Sequence, residues 1–250
     1  MINTIKAEFK KLFTVRSTYA IFGIALLLVI FFTFYISGWR IDSADLHNPT
    51  TLASDITGAI DVISIFAALS ALLLITHEYR YNTIMYSLTS VNNRSKILIA
   101  KILVITGYAL LFTAIFAVLS PLLSVLGIDL HHLKLVPQII PYKTLIWHCL
   151  FYGWGYVMAA SVIALLIRNQ VAAIITLFIA PGTIEALLYL WLKNSVVYLP
   201  FTALRVVLMG HPDQRITVGI TPYHALLVFM GYLLVSWAVA WVLFLRRDAN

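Results

Sequence analysis

Apolar residues fall in six long runs separated by short polar stretches. The first is 23 residues without a charge, Ser17 to Trp39, rich in Ile, Leu and Phe and closing on the interfacial aromatics Tyr35 and Trp39. It is too long for a signal-peptide core and no small-residue cleavage site follows it, so it is expected to be retained. The second runs from about Thr57 to Thr76, with Asp61 near one end, and is followed by the polar stretch His77 to Lys96. Lys101 and Asp129 bracket a third run holding Pro121, which a lipid-embedded helix tolerates as a kink. Lys143 and Arg168 bracket the fourth. The fifth begins after the polar turn Arg168, Asn169, Gln170 and reaches about Trp191, broken by Pro181 and Gly182 and carrying Glu185. Arg215 and Arg246 bracket the sixth. A helix needs about 20 apolar residues to cross a roughly 30 Å hydrocarbon layer. The pattern therefore predicts an all-α membrane protein with spans at about 18–38, 57–76, 101–126, 143–167, 171–191 and 223–245, in a single domain over 1–250.

Three further segments carry a pattern. Residues 1–16 place Ile2, Ile5, Phe9, Leu12 and Phe13 at three-to-four spacing opposite Lys6, Lys10 and Lys11, which predicts an amphipathic helix lying in the membrane surface. A plain basic flank is the simpler alternative. Residues 77–98 form the longest polar connection and mix Tyr79, Tyr81 and Tyr86 with basic groups. Residues 193–222 stay apolar through Val196–Phe201 and Leu204–Met209, so this outer segment between the fifth and sixth spans is expected to re-enter the bilayer, shielded by protein.

Composition agrees with lipid as the solvent: 62% of residues are hydrophobic, 11% charged, and mean hydropathy is +0.95. The formal charge of +7 does not point to nucleic acid, because Lys and Arg sit in short groups beside apolar runs. They instead set topology. With the N-terminus inside, Lys6, Lys10, Lys11, Arg16, Arg80, Arg94, Lys96, Lys101, Arg168, Arg246 and Arg247 are cytoplasmic, 11 of the 17 basic residues. The positive-inside rule thus predicts both termini in the cytoplasm.

Enzyme chemistry finds little support. His77-Glu78 lacks the second histidine of a metalloprotease helix, and no Gly-x-Ser-x-Gly is present. His131 and His132 beside Asp129 lack metal-ligand spacing and read as loop; Cys149 reads as a small buried apolar residue. No cofactor is implied. Glu185 is the conspicuous polar residue, since a carboxylate within a span costs roughly 2.5–3.5 kcal/mol on insertion scales. It reads either as a polar contact on a substrate path, as a lock on the outer segment, or as an interfacial carboxylate after the Pro181-Gly182 break. Asp61 reads as a helix-start residue. No phosphate-binding Gly-x-x-x-x-Gly-Lys-Ser/Thr loop occurs, so ATP-driven transport would require a separate subunit.

The stretch Glu78-Tyr-Arg-Tyr-Asn-Thr83, followed by Ser87-Leu88, Arg94 and Ala100-Lys101, resembles the loop after the second span of type-2 ATP-binding-cassette (ABC) transporter permeases. That family repeats a Glu, a Gly-Thr, a Leu pair, an Arg and an Ala-Lys at about this spacing. Here Asn82 stands for the glycine and Ser87 for one leucine. The resemblance extends in outline to the whole chain. It implies a permease subunit of an ABC exporter that moves a hydrophobic or amphipathic substrate, paired with a second permease copy or paralogue in the lipid. It also implies that Glu78, Tyr79, Arg80, Thr83 and Arg94 belong to a coupling loop docking on a cytoplasmic ABC ATPase subunit. Aromatics that anchor and arginines that orient suit such a contact. The alternatives from other classes are a secondary transporter, for which only Glu185 with Pro181-Gly182 partly qualifies, and a non-transporting membrane assembly protein. An intramembrane enzyme would need a matched nucleophile and base, and none is visible.

Overall fold

The computed structural model describes residues 2–35, 49–81, 83–84, 94–130, 142–210 and 220–246, and these residues are almost wholly helical. α1 covers Ile2–Thr14 and α2 Arg16–Tyr35; they meet at Val15, whose N–H donates to the Lys11 carbonyl at 3.2 Å. α3 is Pro49–Arg80, α4 Arg94–Leu130, α5 Tyr142–Ile167 and α6 Gln170–Ile179. A π-turn over Ala180–Ile184 leads into α7, Glu185–Leu192, and a 3-10 turn over Lys193–Tyr198 leads into α8, Pro200–Met209. α9 is Pro222–Arg246. Among the described residues six segments are long and apolar enough to cross a membrane: Arg16–Thr33, Thr57–Arg80, Ser95–Gly127, Lys143–Ile167, Gln170–Tyr198 and Pro222–Arg246.

The six spans coincide with the six apolar runs, but their ends do not. α3 begins at Pro49 and continues to Arg80, and α4 begins at Arg94, so Glu78 and Lys101 lie inside helices rather than in a connection. A hydropathy reading stops at a charge; the helices continue because these charges meet one another within the bundle. Asp61 is likewise not a helix-start residue, since α3 has begun three turns earlier at Pro49. The fifth span breaks where Pro181 cannot donate a backbone hydrogen bond, and the break takes the form of the π-turn.

α5 is the hub, packing on α3, α4, α6, α8 and α9, and its contact with α3 is the most extensive in the molecule. Within the spans 61% of the α5 segment is buried, against 17% for the Gln170–Tyr198 and Pro222–Arg246 segments, so those two face outward and α5 does not. Small side chains let the backbones approach: Ala67, Ala68 and Ala71 of α3 and Ala160, Ser161 and Ala164 of α5 are all buried. Ala160 and Ser161 are therefore spent on packing inside the bundle. Gly153 is required by close approach, since a Cβ there would sit 2.1 Å from the Thr113 hydroxyl of α4.

α1 divides its apolar stripe. Leu12 is buried and Ile5 packs on the core, whereas Ile2, Phe9 and Phe13 are exposed, with the Phe9 and Phe13 rings 4.9 Å apart. One edge of the helix is thus tied to the bundle, principally to α4, and the other presents the two tilted phenylalanine rings beside the exposed Lys6 and Lys10.

Candidate functional site

Two polar constellations lie along α3, one at its C-terminal end and one around Asp61 three turns in from Pro49, separated by about 25 Å of helix at 1.5 Å per residue. The first joins α1, α3 and α4. The Lys101 ammonium donates to Glu8 Oε2 at 2.8 Å and to Glu78 Oε1 at 2.6 Å; the Lys11 ammonium donates to Glu8 Oε1 at 2.7 Å and to Glu78 Oε1 at 2.8 Å. Glu8, Lys101 and Glu78 are only 2%, 3% and 5% exposed. Ions this deeply desolvated persist only when paired, and two carboxylates against two ammoniums leave the cluster neutral. Lys11 lies at its rim. Burial disfavours its charged form, but the Glu78 and Glu8 carboxylates outweigh that and hold it above the ordinary lysine value of 10.5. With the folded value raised, its contribution to stability is complete below pH 10.5 and is lost only as pH rises through the folded value.

The end of α3 is also fastened to the α5–α6 turn. Arg80 Nη1 donates to Gln170 Oε1 at 3.0 Å, and the Arg168 guanidinium lies 5.2 Å from the Tyr79 ring centroid. Asn169 caps α6 by accepting from the Ala172 N–H at 3.1 Å, and Arg168 takes a positive φ of 56° to turn the chain. Beyond Arg80, Tyr81 is 63% exposed and Thr83 is exposed.

The five residues expected to form a coupling loop therefore separate. Glu78 is buried in the ion cluster, Tyr79 is half-buried, Arg80 reaches the neighbouring turn, and Thr83 faces outward. Arg94 opens α4. Asn82, Ser87, Leu88 and the His131-His132 pair lie outside the described residues. Cys149 is buried, and among the described residues no group of His, Cys, Asp and Glu has the makings of a metal site.

The second constellation lines a cavity of about 550 Å³ between α3, α5, the π-turn, α7 and α8. Asp61 accepts from the Tyr152 hydroxyl and, at 3.1 Å, from Arg205 Nη2. Glu185 accepts from the Phe201 N–H at 2.9 Å, the Thr202 N–H at 2.7 Å and the Thr202 hydroxyl at 2.6 Å. It thereby caps the first turn of α8, where N–H groups lack intrahelical partners and the helix dipole favours a carboxylate. These contacts tie Glu185 to the start of α8. Arg205, Tyr152 and Tyr156 complete the constellation, and the one sequence signal for it beyond Asp61 and Glu185 is an arginine inside the apolar stretch Leu204–Met209.

Helical spans of this length and apolarity, with charges neutralised inside the bundle, define a multi-pass membrane protein. A family model described as ABC-2 family transporter protein matches residues 4–181, and the chain belongs to that family. Membership makes it a membrane-spanning permease subunit of an ABC transporter, whose counterpart is an ATP-binding subunit. The matched residues run from α1 to the π-turn, so they include the ion cluster and Asp61 but not Glu185 or Arg205. No curated protein matches the chain.

Proposed function

We propose that the chain is the transmembrane subunit of an ATP-driven exporter, in the cell membrane with both termini cytoplasmic. A cytoplasmic ABC ATPase docks on the α3–α4 connection, and the permease pairs with a second copy or a paralogue. Export, pairing and orientation rest on the family resemblance and on the distribution of basic residues. One observation carries the coupling role: the end of α3 that leads into the connection is fixed to α1 and α4 by the buried Glu8–Lys11–Glu78–Lys101 cluster. A force applied at the connection would then be passed to three helices as one body instead of being dissipated in a loose loop. The exposed Tyr81 and Thr83 are the groups that suit contact with the ATPase, while Glu78 supports the platform behind them.

Co-purification from gently solubilised membranes tests this. A P-loop ATPase should accompany the tagged permease, and Tyr81→Ala with Thr83→Glu should reduce its recovery at least tenfold without altering the permease's gel-filtration profile. Undiminished recovery would remove the docking role from this segment. Absence of any ATPase would remove ATP-driven export.

A further inference from the structure

The cavity beneath α8 holds more negative than positive charge. Of its lining residues Asp61, Glu185 and Arg205 are the charged ones, two carboxylates against one guanidinium. Arg205 is committed to Asp61. Glu185 is held by two backbone N–H groups and a hydroxyl, all neutral donors; Arg205 is close enough to act on it electrostatically but makes its ion pair with Asp61, so Glu185 has no ion-pair partner of its own among the described residues. An unmatched carboxylate facing a largely apolar chamber is an attractive site for a cation that is itself apolar enough to enter from lipid.

The walls are suited to the same occupant. Tyr152, Tyr156, Phe178, Tyr189 and Phe201 line the chamber, with the Tyr152 and Tyr156 rings 5.7 Å apart and the Tyr156 and Phe201 rings 5.4 Å apart. Aromatic faces attract a cation electrostatically without the cost of burying further ions. Tyr156 is 4% exposed, lines the chamber, and sets its ring between those of Tyr152 and Phe201, so it is the central aromatic of the wall. The chamber lies within the size range of small-molecule sites and is too small for a folded peptide. Phe178 and Leu190, both well exposed on the outer side of the bundle, also line it, so its mouth adjoins the surface that would meet lipid.

We infer that this cavity binds a small lipophilic monocation, an alkyl- or aryl-substituted ammonium, with Glu185 supplying the charge and Tyr156 and its aromatic neighbours the cage. The site requires neither the ATPase nor a second copy, so it stands or falls separately from the exporter reading.

Tetraphenylphosphonium and tetraphenylborate are nearly alike in shape and opposite in charge, and equilibrium dialysis of both against the purified permease alone in neutral detergent tests the inference. The cation should bind saturably and the anion at least tenfold more weakly. Ala186→Phe, which fills the chamber without touching its charge, should abolish saturable binding. Tyr156→Leu, which removes one aromatic face of the cage, should weaken the cation several-fold, and Glu185→Gln should weaken it tenfold or more and narrow the preference over the anion. Because Glu185 also caps α8, each variant is first required to give a monodisperse gel-filtration peak; if Glu185→Gln fails that, Tyr156→Leu and Ala186→Phe decide. Equal binding of the two ions, no saturable binding of the cation, or binding unchanged in folded Ala186→Phe and Tyr156→Leu would each overturn the proposal.

Discussion

At the scale of single residues, the most consequential side chain is Lys101. Its ammonium is 3% exposed and reaches carboxylates on two other helices, so no water is at hand to replace it. Lys101→Met should cost about 3–5 kcal/mol, the usual penalty for leaving a buried partner charge uncompensated. Glu78→Gln added to it removes one of the stranded charges, so the pair should be less destabilising than the sum of the two single changes. Thermal unfolding in detergent of the two single variants and the double variant measures this coupling; simple additivity would mean that the cluster is not an energetic unit. Lys11 makes the same contacts from the rim, where its side chain is 35% exposed, and solvent screening makes it the weaker member.

At the scale of elements, α5 is held by closeness of backbone as much as by side-chain area. Gly153 faces Thr113 so tightly that Gly153→Ala must push the Thr113 side chain or the helix, and overpacking of that kind costs about 1–3 kcal/mol. Thr113→Ala should be nearly neutral alone, because the Thr113 hydroxyl is buried without a partner, and should recover part of the loss in the double variant. Failure of Thr113→Ala to rescue Gly153→Ala in unfolding measurements would place the crowding elsewhere. The spans themselves were readable from the sequence because each is a run of apolar residues long enough to cross. So was the break at Pro181-Gly182, because proline's missing N–H is a local property. What the linear pattern hid was everything decided by a partner distant in sequence. Glu78 and Lys101 look like span boundaries until each is seen to neutralise the other. Asp61 looks like a helix start until Tyr152 and Arg205 are seen to bind it. Glu185 could be singled out by its cost in lipid, but its contacts depend on where α8 begins.

At the scale of the molecule, the two constellations share their supporting helices. α3 carries Glu78 at one end and Asp61 toward the other; α5 carries Tyr152 and Tyr156 at the cavity and runs into the Arg168–Gln170 turn that meets Arg80. Because α3 and α5 make the most extensive helix contact in the bundle and both line the cavity, a displacement of the α3 end reaches it directly through Asp61 and, where the two helices move together, through Tyr152 and Tyr156 as well. At that end the Arg80–Gln170 hydrogen bond is an exposed tie from α3 to the first residue of α6, beside the Arg168–Tyr79 contact with the α5–α6 turn. On the exporter reading, Gln170→Ala should leave the fold within about 1 kcal/mol of wild type, as expected for an exposed contact. It should leave ATPase recovery in a pull-down unchanged and yet lower ATP hydrolysis stimulated by a transported ligand several-fold, because the ATPase would still dock but would drive α3 without drawing along α6, whose Phe178 lines the cavity. Measuring basal and ligand-stimulated hydrolysis of the reconstituted complex separates these effects. A fall in stimulated rate alone marks the tie as part of the coupling path, whereas equal rates in wild type and Gln170→Ala would show that the packing of α3 on α5 suffices without it.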